Sequence, residues 1–154
     1  MSDKLVVYYS RKGATRETAE KLAEILKCDI TEITSPKKYG GPFGFLAGGK
    51  GAINENIIKI NETDKSPDNY EMVIICSPVW ASNIPPAIRT YLIKFKDRFK
   101  SHSFVLTSGG SEHAKPLAKM TEIAGGPAKI LHFSNFERKT KVWVEKLTSF
   151  ANEL

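Results

Sequence analysis

The sequence predicts an α/β fold, a parallel sheet with helices packed on both faces. Two observations carry this. Continuous apolar runs of three to five residues recur along the chain, and stretches of helical period separate them. A strand buried on both faces reads as an unbroken apolar run, and strand–helix alternation feeds a parallel sheet.

The elements follow in order. Leu5-Val6-Val7-Tyr8-Tyr9 predicts the first buried strand. Ala19, Leu22, Ala23 and Leu26 then recur at helical spacing after Thr15, which is expected to cap that helix. Cys28 to Thr34 alternates and reads as a weaker edge strand. Residues 35–70 break the pattern. Gly40, Gly41, Gly44, Gly48, Gly49 and Gly51 punctuate Phe43-Gly44-Phe45-Leu46-Ala47, which reads as a short second helix or irregular crossover. An extra strand is expected at Asn56–Ile60. Met72-Val73-Ile74-Ile75-Cys76 is the next buried strand, followed by a helix that opens at Pro85-Pro86 and buries Ile88, Tyr91, Leu92 and Phe95. Phe104-Val105-Leu106 precedes a helix of Leu117, Met120 and Ile123, with Gly125 as its stop signal. Lys129 to Phe133 predicts the last buried strand. Ser134 and Glu137 resemble a capping box for a final helix whose inner face is Trp143, Leu147, Phe150 and Leu154.

At 154 residues, with 41% hydrophobic and 26% charged residues, the chain reads as one globular domain, residues 1–154. No apolar run reaches the roughly 18 residues of a membrane span. The polar start, Met1 to Lys4, leads straight into a strand and does not read as a signal peptide, so a cytoplasmic protein without membrane contact is expected. Cys28 and Cys76 both lie in apolar stretches and are expected as buried free thiols, with no metal site. The net charge is +6, and its excess sits in residues 72–154, which carry 12 basic and 6 acidic residues. Arg89, Lys94, Lys96, Arg98 and Lys100, then Arg138, Lys139 and Lys141, read as solvated helix faces. Nucleic-acid binding would need such a stripe interleaved with aromatics, so no nucleic-acid partner is expected.

In an open parallel sheet ligands bind beyond the carboxyl ends of the strands, where strand order reverses. Three loops there are unusual. Ser10-Arg11-Lys12-Gly13-Ala14-Thr15 opens directly into a helix, with hydroxyl donors and inward-turned amides suited to a phosphate; its spacing is neither a Walker loop nor GxGxxG. An ordinary strand-to-helix turn has the same composition. Ser77-Pro78-Val79-Trp80-Ala81-Ser82-Asn83-Ile84-Pro85-Pro86 sets a tryptophan where it packs beneath the loop or offers its face to a planar ligand. Thr107-Ser108-Gly109-Gly110-Ser111-Glu112-His113 lets backbone approach a ligand closely, or simply connects two elements. No Cys–His, Ser–His–Asp or paired-carboxylate set falls on these loops, so no catalytic side chain is assigned.

Together, in this order, the three loops resemble those of the flavodoxin-like flavoproteins, and the chain is similar to short flavodoxin family proteins. Ser10, Gly13 and Thr15 match the FMN phosphate loop, written T/S-x-T-G-x-T, with departures at Lys12 and Ala14. The second loop resembles TPVWAGNIPP, with Ser77 for threonine and Ser82 for glycine; the third resembles the TSGG loop beside the isoalloxazine. The resemblance implies a three-layer α/β/α sandwich with a five-stranded parallel sheet in the order 2-1-3-4-5. It also implies FMN as cofactor, held by Ser10, Arg11, Lys12, Gly13, Ala14 and Thr15, by Pro78, Val79, Trp80, Ala81, Ser82 and Asn83, and by Ser108, Gly109, Gly110 and His113. Three functions are compatible with it: an electron carrier docking with a redox partner protein, an NAD(P)H-dependent oxidoreductase passing electrons to a small acceptor such as a quinone, and a domain that has lost its flavin. The chain's length favours the carrier. Its basic charge, and Ser82 in place of the glycine whose peptide flips in flavodoxins, set it apart from the usual acidic carriers.

Overall fold

The computed structural model describes residues 2–36, 41–110 and 112–154, and for residues 41, 42, 43 and 45 the backbone alone. Gly40 and Ser111 lie outside the described residues. The elements run β1 Lys4–Tyr8, α1 Ala14–Leu26, β2 Asp29–Glu32, α2 Gly41–Ile53, β3 Met72–Pro78, α3 Pro86–Phe95, β4 His102–Ser108, α4 Ala114–Ala124, β5 Ile130–Ser134 and α5 Lys141–Asn152. The strands form a five-stranded sheet in the order β2-β1-β3-β4-β5, with every pair parallel.

The apolar runs explain the layers. Along β1, Leu5 and Val7 face one way and Val6 and Tyr8 the other, because side chains alternate across a strand. Leu5 and Val7 join Ile75, Phe104 and Leu106 beneath Ile88, Tyr91 and Leu92 of α3 and Met120 of α4. Val6 and Tyr8 join Ile74, Val105 and Phe133 beneath Leu22 of α1 and Trp143, Leu147 and Phe150 of α5. Both faces of the central strands are therefore buried. α4 stops at Gly125, whose φ of 88° lies in the left-handed region, and its N–H donates to the Thr121 carbonyl.

Four expectations change. Asn56–Ile60 is not a strand, although Ile60 is buried. β5 is an edge strand in which Phe133 alone is fully buried and Ile130 is exposed, because β5 pairs with β4 on one side and lies at the margin of the sheet on the other. The Ser134–Glu137 box does form, with Ser134 N–H donating to the Glu137 carboxylate and Glu137 N–H to Ser134 Oγ. It closes a 3₁₀ turn, Glu137–Lys139, rather than α5, which begins after Thr140. Cys76 is fully buried but Cys28 only partly; both are free thiols, and burial raises Cys28 to about 11 and Cys76 further. No helix among the described residues is long and apolar enough to cross a membrane.

Candidate functional site

Between β1 and β3 the strand order reverses, and the loops leaving both strands splay apart at the carboxyl edge. A cavity of about 430 Å³ lies there. The first loop contributes Ser10, Arg11, Lys12, Ala14 and Thr15; the second Pro78, Val79, Trp80 and Ala81; the third Ser108 and Gly109. Gly13, Ser82, Asn83, Gly110 and His113 do not line it. Thr107, at the head of the third loop but not among the expected cofactor contacts, also lines it, and Gly49 of α2 and Asn135 after β5 line it unanticipated. Asn135 was findable, since it follows a strand at the carboxyl edge like the other three loops. Gly49 was not, because its place depends on how α2 packs.

The first loop turns at Gly13, whose φ of 98° excludes most side chains even though the space beside it is open. Ser10 Oγ accepts the Gly13 N–H at 2.9 Å and tightens that turn. Gly13 is the N-cap of α1, so Thr15 is not the cap; its side chain makes no capping bond. Instead Thr15 Oγ1 lies 2.8 Å from Thr107 Oγ1, both residues buried. This bond ties the first loop to the end of β4. If Thr107 donates, the Thr15 hydroxyl proton is left for a ligand in the cavity, which Thr15 lines. Helix geometry leaves the amides of Ala14, Thr15 and Arg16 without intrahelical acceptors, and the dipole makes that end receptive to an anion.

In the second loop the Trp80 and Asn83 backbones pair as an isolated antiparallel bridge, with N–H···O distances of 2.8 and 2.9 Å. The two residues between them, Ala81 and Ser82, have φ of 48° and 59°. A tight turn with positive φ at both central positions normally carries Asn-Gly, and an L-residue held there costs about 1–2 kcal/mol. Ser82 thus adopts a glycine-type conformation where the resembled loop has glycine. Trp80 is half-buried. Tyr9 meets its ring edge-on at 5.5 Å, and the Arg11 guanidinium sits 5.5 Å from the ring centroid. Arg89, expected on a solvated face, is instead buried, with Nη2 3.2 Å from Asn83 Oδ1.

The third loop folds back on itself, Ser108 Oγ donating to the Gly110 carbonyl. Asn135 N–H donates to the Ser108 carbonyl at 2.8 Å and brings the β5 loop to the cavity. His113 occupies the N-cap position of α4, its ring stacked on His132 at 3.5 Å and 14°. Burial, then the charges of His113 and Lys146, hold the His132 imidazole below its usual value. No group of three or more His, Cys, Asp or Glu is placed to hold a metal ion among the described residues.

No protein family and no curated protein sequence matches the chain. Solved structures do. A flavoprotein of Lactobacillus acidophilus NCFM, in complex with FMN, superimposes with a TM-score of 0.74 at 23% identity, over 89% of this chain and 96% of that one. Megasphaera elsdenii flavodoxin gives 0.60 at 10% identity, over 97% and 98%. The fold is flavodoxin-like. An azoreductase from Bacillus anthracis shares this flavodoxin-like fold too, with a TM-score of 0.58 at 13% identity over 100% of both chains.

Proposed function

We propose that the chain is an FMN-binding electron-transfer flavoprotein. The observation that carries this reading is the convergence of an anion-receptive helix start, a half-buried tryptophan and a glycine-bearing loop on one cavity at the strand-order switch. Its volume falls within the roughly 300–1,000 Å³ of small-molecule sites. The residues fit the two ends of the cofactor. Ser10, Thr15 and the first amides of α1 would hold the phosphate, with Arg11 and Lys12 adding charge. Trp80 would border the ring, and the backbone at Ser108–Gly109 would meet its polar edge. Bound FMN would supply reversible electron transfer; the chain supplies position, electrostatics and partial exclusion of water. The Lactobacillus acidophilus flavoprotein, similar in fold, was solved with FMN. A second reading, an oxidoreductase fed by NAD(P)H, is favoured by the net charge of +6, which attracts an anionic nucleotide.

Equilibrium titration with FMN, riboflavin and FAD tests the first reading. FMN should bind tightest. Thr15→Val should weaken FMN more than riboflavin, which lacks the phosphate, whereas Trp80→Ala should weaken both by about tenfold, the worth of a lost aromatic contact. Tighter FAD binding, or no flavin binding, overturns it. Anaerobic mixing of the FMN-loaded protein with NADPH or NADH separates the readings: bleaching of the flavin band within seconds means an oxidoreductase, and an unchanged band a carrier.

A further inference from the structure

Arg89 stands among the basic residues of the second half of the chain, yet its side chain is folded into the protein beneath the second loop. It lies in the first turn of α3 and is 6% exposed. Its Nη2 donates to Asn83 Oδ1, and the same nitrogen is 4.0 Å from Glu55 Oε1. Glu55 follows α2 with φ of 56°, and its Oε1 also takes Lys119 Nζ of α4 at 2.8 Å. The second loop and the segment after α2 therefore meet on one guanidinium, and Lys119 of α4 holds the Glu55 carboxylate. Arg89 Nε is buried without an acceptor among the described residues. A buried cation with an unmet donor is a poor way to stabilise a helix.

The turn above supplies the reason for it. Ala81 and Ser82 are both held at positive φ without glycine or asparagine. Asn83 is 1% exposed and closes that turn through its backbone, while its Oδ1 accepts from Ile84 N–H at 2.9 Å as well as from Arg89. Trp80, at the other end of the bridge, reaches the cavity together with Ala81 beside it, whereas Ser82 and Asn83 do not line it. We infer that Arg89 is a positioning residue: acting through Asn83, and aimed by Glu55, whose carboxylate Lys119 holds, it locks the Trp80–Asn83 turn and so fixes the Trp80 ring against the cavity. This rests on the reading that Trp80 borders the flavin ring, but the geometric part stands by itself.

The test uses the ligand-free protein first. The chain has two tryptophans, Trp80 and Trp143, so its NMR spectrum carries two indole N–H signals, assigned with Trp80→Phe. Arg89→Met keeps the apolar stem and removes the guanidinium. It should shift and broaden the Trp80 signal, leave Trp143 in place, and weaken FMN and riboflavin by the same factor, about tenfold, because the phosphate loop is untouched. Adding Ser82→Gly, a residue that takes the left-handed turn unaided at a position off the cavity wall, should restore both the signal and the affinities. A purely structural role for Arg89 would not be rescued by a change of turn residue. Glu55→Gln, at a half-exposed site, gives a milder version of the same shift where Arg89→Met does not fold. An unmoved Trp80 signal in Arg89→Met or Glu55→Gln, or failure of Ser82→Gly to restore it, overturns the inference. Flavin binding that is absent from the wild type, with the indole shift present, sinks the flavin reading and leaves the brace intact.

Discussion

Thr15 and Thr107 are 92 residues apart in sequence, yet their hydroxyls meet at 2.8 Å in a buried position. Thr15→Val removes one partner and leaves the Thr107 hydroxyl buried and unmatched, which costs about 1–3 kcal/mol. Thr107→Val does the same in reverse. The double variant should lose less than the sum of the singles, by at least about 0.5 kcal/mol, in urea denaturation of the four proteins. A strictly additive pair would mean that the bond contributes nothing. His132 gives a second, pH-dependent expectation. Its folded-state value lies below the usual 6.5, from burial first and then from the charges of His113 and Lys146, with Glu137 opposing. The unfolded chain therefore takes up the proton first as pH falls. The neutral imidazole's contribution is complete above 6.5 and is lost as pH drops through the lowered folded value. Between about pH 7.5 and about pH 5.5 the wild type should lose more stability than His132→Gln, measured by urea midpoints. Equal losses would remove His132 from the account.

At the scale of elements, α2 shows what the glycines do. A Cβ at Gly51 would lie 3.0 Å from Pro86 Cγ at the start of α3, whereas one at Gly49 would meet only Ala81 Cβ, at 3.9 Å. Alanine gains up to about 1 kcal/mol over glycine inside a helix. Gly49→Ala should keep that gain. At Gly51 the ring of Pro86 cannot swing aside as a flexible side chain would, and overpacking of about 1–3 kcal/mol outweighs it. Thermal melts should rise for Gly49→Ala and fall for Gly51→Ala; a rise in both would show that α2 can move off α3. The glycine-rich composition of this segment announced a break in the pattern. It carried no sign of which glycine faces α3, since close approach is a property of two elements together. The same holds for the Ser134–Glu137 box: its residues were legible, but the turn that it closes depends on where β5 releases the chain.

Across the whole molecule, the sequence by itself determined the alternation of strands and helices and the set of loops gathered at the carboxyl edge. Apolar runs and helical periods are local, and local patterns survive without knowledge of the partner elements. The resemblance of those loops supplied the strand order 2-1-3-4-5, which periodicity alone does not contain, and the sheet has that order. Ser10, Lys12, Trp80 and Gly109 reach the cavity for the same local reason: each follows the end of a strand. The tertiary structure alone decided that Thr15 bonds Thr107 instead of capping its helix, and that Gly49 and Asn135 complete the cavity wall. It also drew Arg89 from the basic stripe into burial against Asn83, with the more exposed Glu55 beside it, and it holds Ala81 and Ser82 in the left-handed turn. Each of these depends on atoms brought together from distant parts of the chain. Charge and polarity read along the sequence give the residue's preference for water; only the packing around it decides whether that preference is met.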